Sequence, residues 1–177
     1  QPLLMDILVS VIMGMVLTLP ISSAALGLIL NLSGLAAGAA TIGCSANMIG
    51  FAIASYKENG LGGFFAQGVG TSMLQIGNIV KKPVIWLPAI ISSAIVGPLG
   101  TCLFNMQNNA TGSGMGTSGL VGQLMTYQVM TEYDPPALVI FKILLLHVIL
   151  PGIIAYAVSS FMRKRGIIKT GDMKLDM

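Results

Sequence analysis

The chain has 177 residues, of which 54% are hydrophobic and only 8% are charged. Soluble domains carry about 25% charged residues, so this composition excludes an ordinary soluble domain and indicates a protein embedded in a membrane. The net charge of +3 comes largely from a basic tail at residues 163–177, directly after an apolar stretch, which does not favour a nucleic-acid partner.

The first apolar region is too long for a single membrane crossing, because residues 7–56 contain no charge and one crossing needs about 20 residues. Residues 5–32 predict one kinked crossing or two short ones, with the break at Pro20. Residues 33–55 are rich in small side chains. Gly34 and Gly38 have the GxxxG spacing that lets backbones approach closely, and we interpret this as ordinary helix packing.

Lysines flank the next segment on both sides, at Lys57 and at Lys81-Lys82. If both breaks lie in the cytoplasm, as the positive-inside rule favours, residues 61–80 leave and re-enter the same side as a re-entrant element. The glycines of this segment agree with a loop, and a full crossing is the alternative. Pro83–Phe104 predicts a clear span, with Trp86 at the interface.

Residues 105–127 are polar but uncharged, and they are followed by Glu132 and Asp134. Residues 137–161 predict the last span, which returns the chain to the basic tail, so we expect a cytoplasmic C-terminus. Lys142 lies near the outer end of this span, where it can reach Glu132 or Asp134. Cys44 and Cys102 have no metal-type spacing and are interpreted as packing residues.

A short phrase occurs twice: GVGTSML at residues 68–74, the first glycine loop, and GMGTSGL at residues 114–120, the second glycine loop. An echo precedes each copy, LPISSA at residues 19–24 and LPAIISSA at residues 87–94. Chance similarity of low-complexity sequence is the alternative to a duplication. We predict an all-α polytopic membrane protein with about four to five transmembrane helices, two re-entrant glycine-rich loops and an inverted internal repeat.

Amide side chains cluster around both loops, and amides donate and accept hydrogen bonds together, as a neutral polyol requires. The expected core contains no carboxylate, which disfavours a cation transporter. For each polar residue, helix capping, an interhelical hydrogen bond or simple packing is the structural alternative. The predicted substrate-binding residues are Asn47, Gln67, Thr71, Ser72, Gln75, Gln107, Asn108, Asn109, Thr117, Ser118, Gln123 and His147, and the loop glycines are Gly68, Gly70, Gly114 and Gly116.

No nucleotide, metal-hydrolase or nucleophile motif occurs, so the sequence predicts neither an enzyme nor a cofactor or metal site. The phrases SANMIGFA (45–52), YKENG (56–60), GVGTSMLQ (68–75), MQNN (106–109) and GMGTSGLVGQ (114–123) resemble one bacterial family. It is the phosphotransferase-system EIIC-like family, which includes perfringolysin-regulator-type proteins. The resemblance covers roughly residues 19–161 and implies that the chain is the C-terminal half of such a protein.

The resemblance implies a multi-pass sugar-transport subunit of the bacterial cytoplasmic membrane, phosphorylation being done by separate cytoplasmic partners. Residues 1–162 would form the transport domain and residues 163–177 a cytoplasmic tail. The leading hypothesis is a permease that moves a sugar or similar small polar solute between the two loops by alternating access. A membrane sensor or regulator, or an ion or anion channel on the same scaffold, is the alternative. The small-residue helix is also compatible with a homo-oligomer.

Overall fold

A computed structural model describes residues 3–177, and all its regular elements are helical. The only extended pairing in this range is an isolated bridge between Gly34 and Asn108. The ten α-helices are α1 (Leu3–Thr18), α2 (Ser23–Ile29), α3 (Gly34–Ala54), α4 (Tyr56–Phe65), α5 (Ile76–Lys81), α6 (Leu87–Phe104), α7 (Ala110–Ser113), α8 (Val121–Met130), α9 (Pro136–Ile143) and α10 (Leu150–Lys164). The all-α prediction is confirmed.

The first apolar region is broken at the predicted place. Helix α1 ends at Thr18, and Ser22 begins α2 by accepting a hydrogen bond from the Ala25 amide at 3.1 Å. Proline cannot continue the hydrogen-bond ladder of a helix, which explains the break at Pro20. With 16 residues, α1 is about 24 Å long, shorter than the roughly 30 Å hydrocarbon core.

Among residues 3–177, three helices are long and apolar enough to cross a membrane: Gly34–Ala54, Pro83–Phe104 and Pro136–Lys164. This is fewer than the four to five expected, because the region before α3 is split into two short helices. The Pro83–Phe104 span has the predicted bounds. The last span is longer than predicted and contains a π-helical segment, Leu144–Ile149, between α9 and α10.

Residues 61–80 do not form a continuous helix. Helix α4 ends at Phe65 and is followed by a π-helical turn at Ala66–Gly70, a 3₁₀ turn at Ser72–Gln75 and then α5. A crossing by one unbroken helix is therefore absent, as the glycines indicate. That this segment re-enters the membrane from one side stays a prediction.

Helix α3 lies at the centre of the molecule, packed against α1, α6 and α10. The approach of α1 is close, since a Cβ at Gly43 would overlap the carbonyl group of Ser10. The GxxxG glycines serve a different contact. Gly38 faces the Met106 carbonyl, and Gly34 has a φ of +57° and accepts a hydrogen bond from the Asn108 amide at 3.2 Å. These two glycines thus admit a loop instead of another helix.

The two echoes adopt different local structures. In the first echo Ser22 caps a helix after a break, whereas in the second Ser92 lies inside α6. In the loops Thr71 is extended (φ −158°), and Thr117 is not (φ −86°, ψ 3°). The duplication and its inversion therefore stay predictions.

Candidate functional site

The first glycine loop is anchored to the end of α1. Its π-helical turn stops at Gly70, and the hydroxyl of Thr71 accepts a hydrogen bond from the Met73 amide at 3.1 Å. The hydroxyl of Ser72 is fully buried and lies 2.8 Å from that of Thr18. Thr71 is thus a cap, as the structural alternative expects, while Ser72 holds the loop against α1.

The second glycine loop is pressed against α3. Gly116 has a φ of +53°, and a Cβ there would lie 2.7 Å from the backbone carbon of Cys44. The neighbouring Thr117 is buried and donates to the sulfur of Met48 at 3.5 Å. Only glycine combines the left-handed conformation with this close approach.

The two loops meet. The hydroxyl of Ser118 donates to the carbonyl oxygen of Gly70 at 2.9 Å, which joins the second loop to the first. The hydroxyl of Ser23 donates to the carbonyl oxygen of Gly114 and so ties α2 to the second loop. Residues that are 48 and 91 positions apart thereby surround one small region.

A cavity of about 190 Å³ lies between the loops, the end of α1 and the start of α2. One water needs only about 10–15 Å³ of such volume, so the cavity has room for a small solute. Leu17 and Met48 form an apolar part of its wall, and no charged side chain among residues 3–177 lines the cavity. The hydroxyls of Ser22 and Thr71 each accept a backbone amide and donate to no atom among residues 3–177, so both can donate to a ligand.

Of the predicted site residues, only Thr71, Gly114 and Ser118 line this cavity. Gly68 is buried below the first loop, with Ala52 at 3.6 Å from the position of a Cβ. Gln107 is half-buried, and its side chain makes no hydrogen bond in the described part of the chain.

The amides of Gln67 and Gln75 bind each other instead of facing the cavity. Gln67 Nε2 donates to the hydroxyl of Ser55 at 2.9 Å and to the carbonyl of Gly63 at 3.0 Å. Gln67 Oε1 accepts from Gln75 Nε2 at 2.8 Å, and the same nitrogen donates to the Met173 carbonyl at 2.9 Å. Both amide groups are saturated by protein atoms, so their observed role is structural.

Asn47 is also saturated. Its Nδ2 donates to the Gly43 carbonyl at 3.1 Å and the Ser93 hydroxyl at 3.0 Å, and its Oδ1 accepts from Trp86 Nε1 at 3.0 Å. Trp86 is thereby bonded inward to α3, where the sequence predicted an interfacial anchor.

Asn108 and Asn109 build the turn that carries the second loop. Asn108 Nδ2 donates to the hydroxyl of Thr41 at 2.7 Å and to the carbonyl of Gly122 at 3.1 Å. Asn109 Oδ1 accepts from the Gly112 amide at 2.9 Å and caps α7. The structural alternative, capping and interhelical bonding, describes both residues.

His147 and Gln123 form a second polar site, apart from the cavity. Gln123 Nε2 lies 3.0 Å from His147 Nδ1 and 3.3 Å from the hydroxyl of Ser45. His147 is fully buried, and both its Nε2 and Gln123 Oε1 lack a partner among residues 3–177. The ring sits in the π-helical segment Leu144–Ile149, a type of irregularity that is frequent at functional sites.

A family model described as "Phosphotransferase system, EIIC" matches residues 1–175. The chain belongs to the EIIC family. Proteins of this family are membrane transport components and are not themselves catalytic. No curated protein and no solved structure matches the EIIC chain.

One buried carboxylate was missed by the sequence analysis of the EIIC chain. Asp6 is 1% exposed, and its Oδ2 accepts a hydrogen bond from the hydroxyl of Thr101 at 2.8 Å, whereas Oδ1 has no partner among the described residues. The expectation of a core without carboxylates is therefore wrong. Asp6 directly precedes the uncharged run at residues 7–56, a position typical of a membrane boundary, but Ser10, one turn later, bonds the Ser93 carbonyl on the same helix, α6. This i, i+4 polar pair was the available signal.

In the described part of the EIIC chain, three ion pairs hold the ends of the helices. Lys142 binds Asp134 at 2.7 Å, as predicted, and Arg163 binds Glu58 at 3.0 Å. Lys82 binds Asp172 in the tail. Partial burial disfavours the charged form of Asp172, but the Lys82 hydrogen bond and positive charge prevail and lower the pKa of this carboxyl. Cys44 and Cys102 are free thiols, and no group of three or more potential metal ligands occurs in residues 3–177.

Proposed function

We propose that the chain is a permease subunit of the EIIC type that binds a small neutral polar solute, such as a sugar, between the two glycine loops. The observation that carries the proposal is the Ser118–Gly70 hydrogen bond, which joins the two loops beside the uncharged cavity that Ser118 helps to line. Paired loops of broken helices are how many transporters present backbone groups and hydroxyls to a substrate. Opening and closing of this loop contact would give alternating access.

The orientation belongs to the same proposal. Basic residues stay on the cytoplasmic side, so Lys57, Lys81 and the tail at residues 163–177 would face the cytoplasm of a bacterial cell. The family supports separate cytoplasmic phosphotransferase partners. Because the side-chain amides of Gln67 and Gln75 already bind protein atoms, we expect the solute to contact hydroxyls and backbone groups around the cavity instead.

The test is solute binding and flux by the purified protein. A thermal-shift screen against sugars, polyols, nucleosides, carboxylates and ions should give a shift with one class of neutral polyol, because a ligand of the native state raises apparent stability. Flux of that solute into proteoliposomes would then separate transport from binding alone.

A pair of matched substitutions tests whether the solute binds between the loops. Thr71→Val removes one of the two free hydroxyl donors of the cavity and should weaken binding about tenfold, the effect of one lost hydrogen bond. Thr131→Val is the control, since the Thr131 hydroxyl bonds only carbonyls of its own helix, Tyr127 at 2.8 Å among them. Equal affinity of the Thr71 variant and the unmodified protein for every solute that binds would refute the loop site.

A membrane sensor is the second candidate. The observation that favours it is the C-terminal tail, which packs against the segment carrying the first loop and pairs with Lys82. Solute binding without flux would support the sensor, and an ion-selective current in planar bilayers would support the channel alternative.

A further inference from the structure

The C-terminal tail does not extend away from the helices. After α10 the chain turns back and packs on the segment that carries the first glycine loop. Met173 is fully buried, and Ile168 is 1% exposed. Both belong to the same apolar cluster as Phe51 and Ile79. A tail of this composition, rich in basic residues, would otherwise be expected to remain solvated.

Three amide side chains bind the main chain of the tail. Asn59 Nδ2 donates to the Met173 carbonyl at 2.9 Å, and Asn59 Oδ1 accepts from the Leu175 amide at 2.8 Å. Gln75 donates to the same Met173 carbonyl, and Asn78 donates to the next carbonyl, each at 2.9 Å. Contacts of this kind hold a peptide segment through its backbone, while a buried side chain fixes its register.

Charged groups fix the start of the docked segment. Lys82 pairs with Asp172, and Glu58, which is held by Arg163, accepts the Gly171 amide at 3.3 Å. The side chains of Lys82 and Asp172 are 31% and 22% exposed, so salt and pH reach this pair. Short terminal segments with few buried side chains open more easily than the core.

Gln75 connects the tail to the first glycine loop. Its Nε2 is shared between the Met173 carbonyl and Gln67 Oε1, and Gln67 lies in the π-helical turn directly before Gly68. We propose that residues 169–175 form a strap that regulates the glycine-loop site: docked, it holds Gln67, Gln75 and the loop in place, and released, it frees the loop to move. This inference rests on the proposed function, because the strap would regulate the solute site proposed between the two loops.

Hydrogen exchange on the full chain in liposomes tests the strap without any solute. Met173→Ser removes the buried anchor, and the amides of residues 67–76 should then exchange at least about tenfold faster, because truncation of a buried methionine is costly. Lys174→Ser is the matched control, since the Lys174 side chain is exposed and only the backbone of this residue is bonded, its amide to the Gly171 carbonyl and its carbonyl to Asn78. It should leave the exchange of residues 67–76 unchanged.

A synthetic peptide with the sequence of residues 166–177 gives the second arm. Added in excess to the Met173→Ser protein, it should restore slow exchange in residues 67–76. The same peptide with serine at the position of Met173 should not. Faster exchange in the tail with unchanged exchange in residues 67–76 would overturn the proposal, as would equal effects of the two peptides. If Met173→Ser does not fold, Lys82→Gln is used instead. It should also speed exchange in residues 67–76, by a smaller factor. Because this readout needs no solute, failure of the solute screen leaves it valid.

Discussion

Gly116 and Gly70 hold corresponding positions in the two glycine loops, yet the structure predicts opposite responses to a methyl group. At Gly116 the left-handed backbone costs an L-residue about 1–2 kcal/mol, and the overlap with Cys44 at 2.7 Å adds about 1–3 kcal/mol of overpacking. Gly116→Ala should therefore destabilise the protein by about 2–5 kcal/mol.

Gly70→Ala should be neutral or slightly stabilising. The nearest atom to a Cβ at Gly70 is the Phe65 carbonyl oxygen at 3.9 Å, an ordinary contact. Replacing a glycine whose conformation alanine can adopt stabilises a protein by about 0.4–1 kcal/mol through the unfolded state. Both variants add one methyl group at the same position of a loop, so each is the control for the other.

Thermal unfolding of the purified proteins in one detergent measures the difference. For a chain of this size 1 kcal/mol corresponds to about 2–4 °C in Tm, so Gly116→Ala should lose at least about 4 °C while Gly70→Ala does not fall. Equal losses in both variants would refute the close approach at Gly116. Equal retention of Tm would do so as well.

Three further predictions concern the buried and paired charges. Thr101→Val removes the only hydroxyl bonded to Asp6 among residues 3–177 and should lower the free energy of unfolding by about 1.5–3 kcal/mol. Thr101→Ser keeps a hydroxyl and should retain most of this stability. Equal losses in the two variants would contradict a hydrogen-bonding role. A double-mutant cycle of Lys142→Met and Asp134→Asn should give a coupling energy of about 0.5–1 kcal/mol that shrinks with salt, and no coupling would mean that the pair adds nothing to stability. Since the folded state lowers the pKa of Asp172, its contribution is present above the usual carboxyl pKa of about 4 and is lost as the pH falls through the lower folded value. Hydrogen exchange of residues 169–175, corrected for its intrinsic pH dependence, should rise only below about pH 4, and a rise that survives Asp172→Asn would rule this group out.

The parts of the fold that were predictable are those that local patterns determine. The Pro83–Phe104 span follows from an apolar run that begins after Lys82 and reaches the polar segment after Phe104. The break at Pro20 follows from the chemistry of proline. The pairing of Lys142 with Asp134 follows from one helix end and the turn before it.

The parts that were not predictable depend on long-range contacts. Clustering in sequence pointed to Gln67 and Gln75 as solute ligands, but Met173, 98 residues from Gln75, takes one of their hydrogen bonds. The burial of Asp6 was not foreseen because its hydrogen-bond partner, Thr101 of α6, lies 95 residues further along the chain. Which amides remain free for a ligand is decided by such contacts, and local periodicity carries no information about them.

The π-helical segment around His147 sets the phase of the longest span. In a regular α-helix each of the twelve steps from Ile143 to Ala155 turns the chain by about 100°, which would leave these two side chains about 120° apart. Both are buried on the core side, and the one extra residue that a π segment accommodates makes up about 100° of this difference. Deletion of a single residue in Leu144–Ile149 would leave eleven steps between these two side chains, which in a regular α-helix places them only about 20° apart, so α10 would keep its buried face against α3. A deletion in Leu150–Ile154 that kept the π segment would instead turn Ala155 by about 100° away from the core side, so sequence alignments of this family should tolerate a one-residue gap within Leu144–Ile149 better than one in Leu150–Ile154.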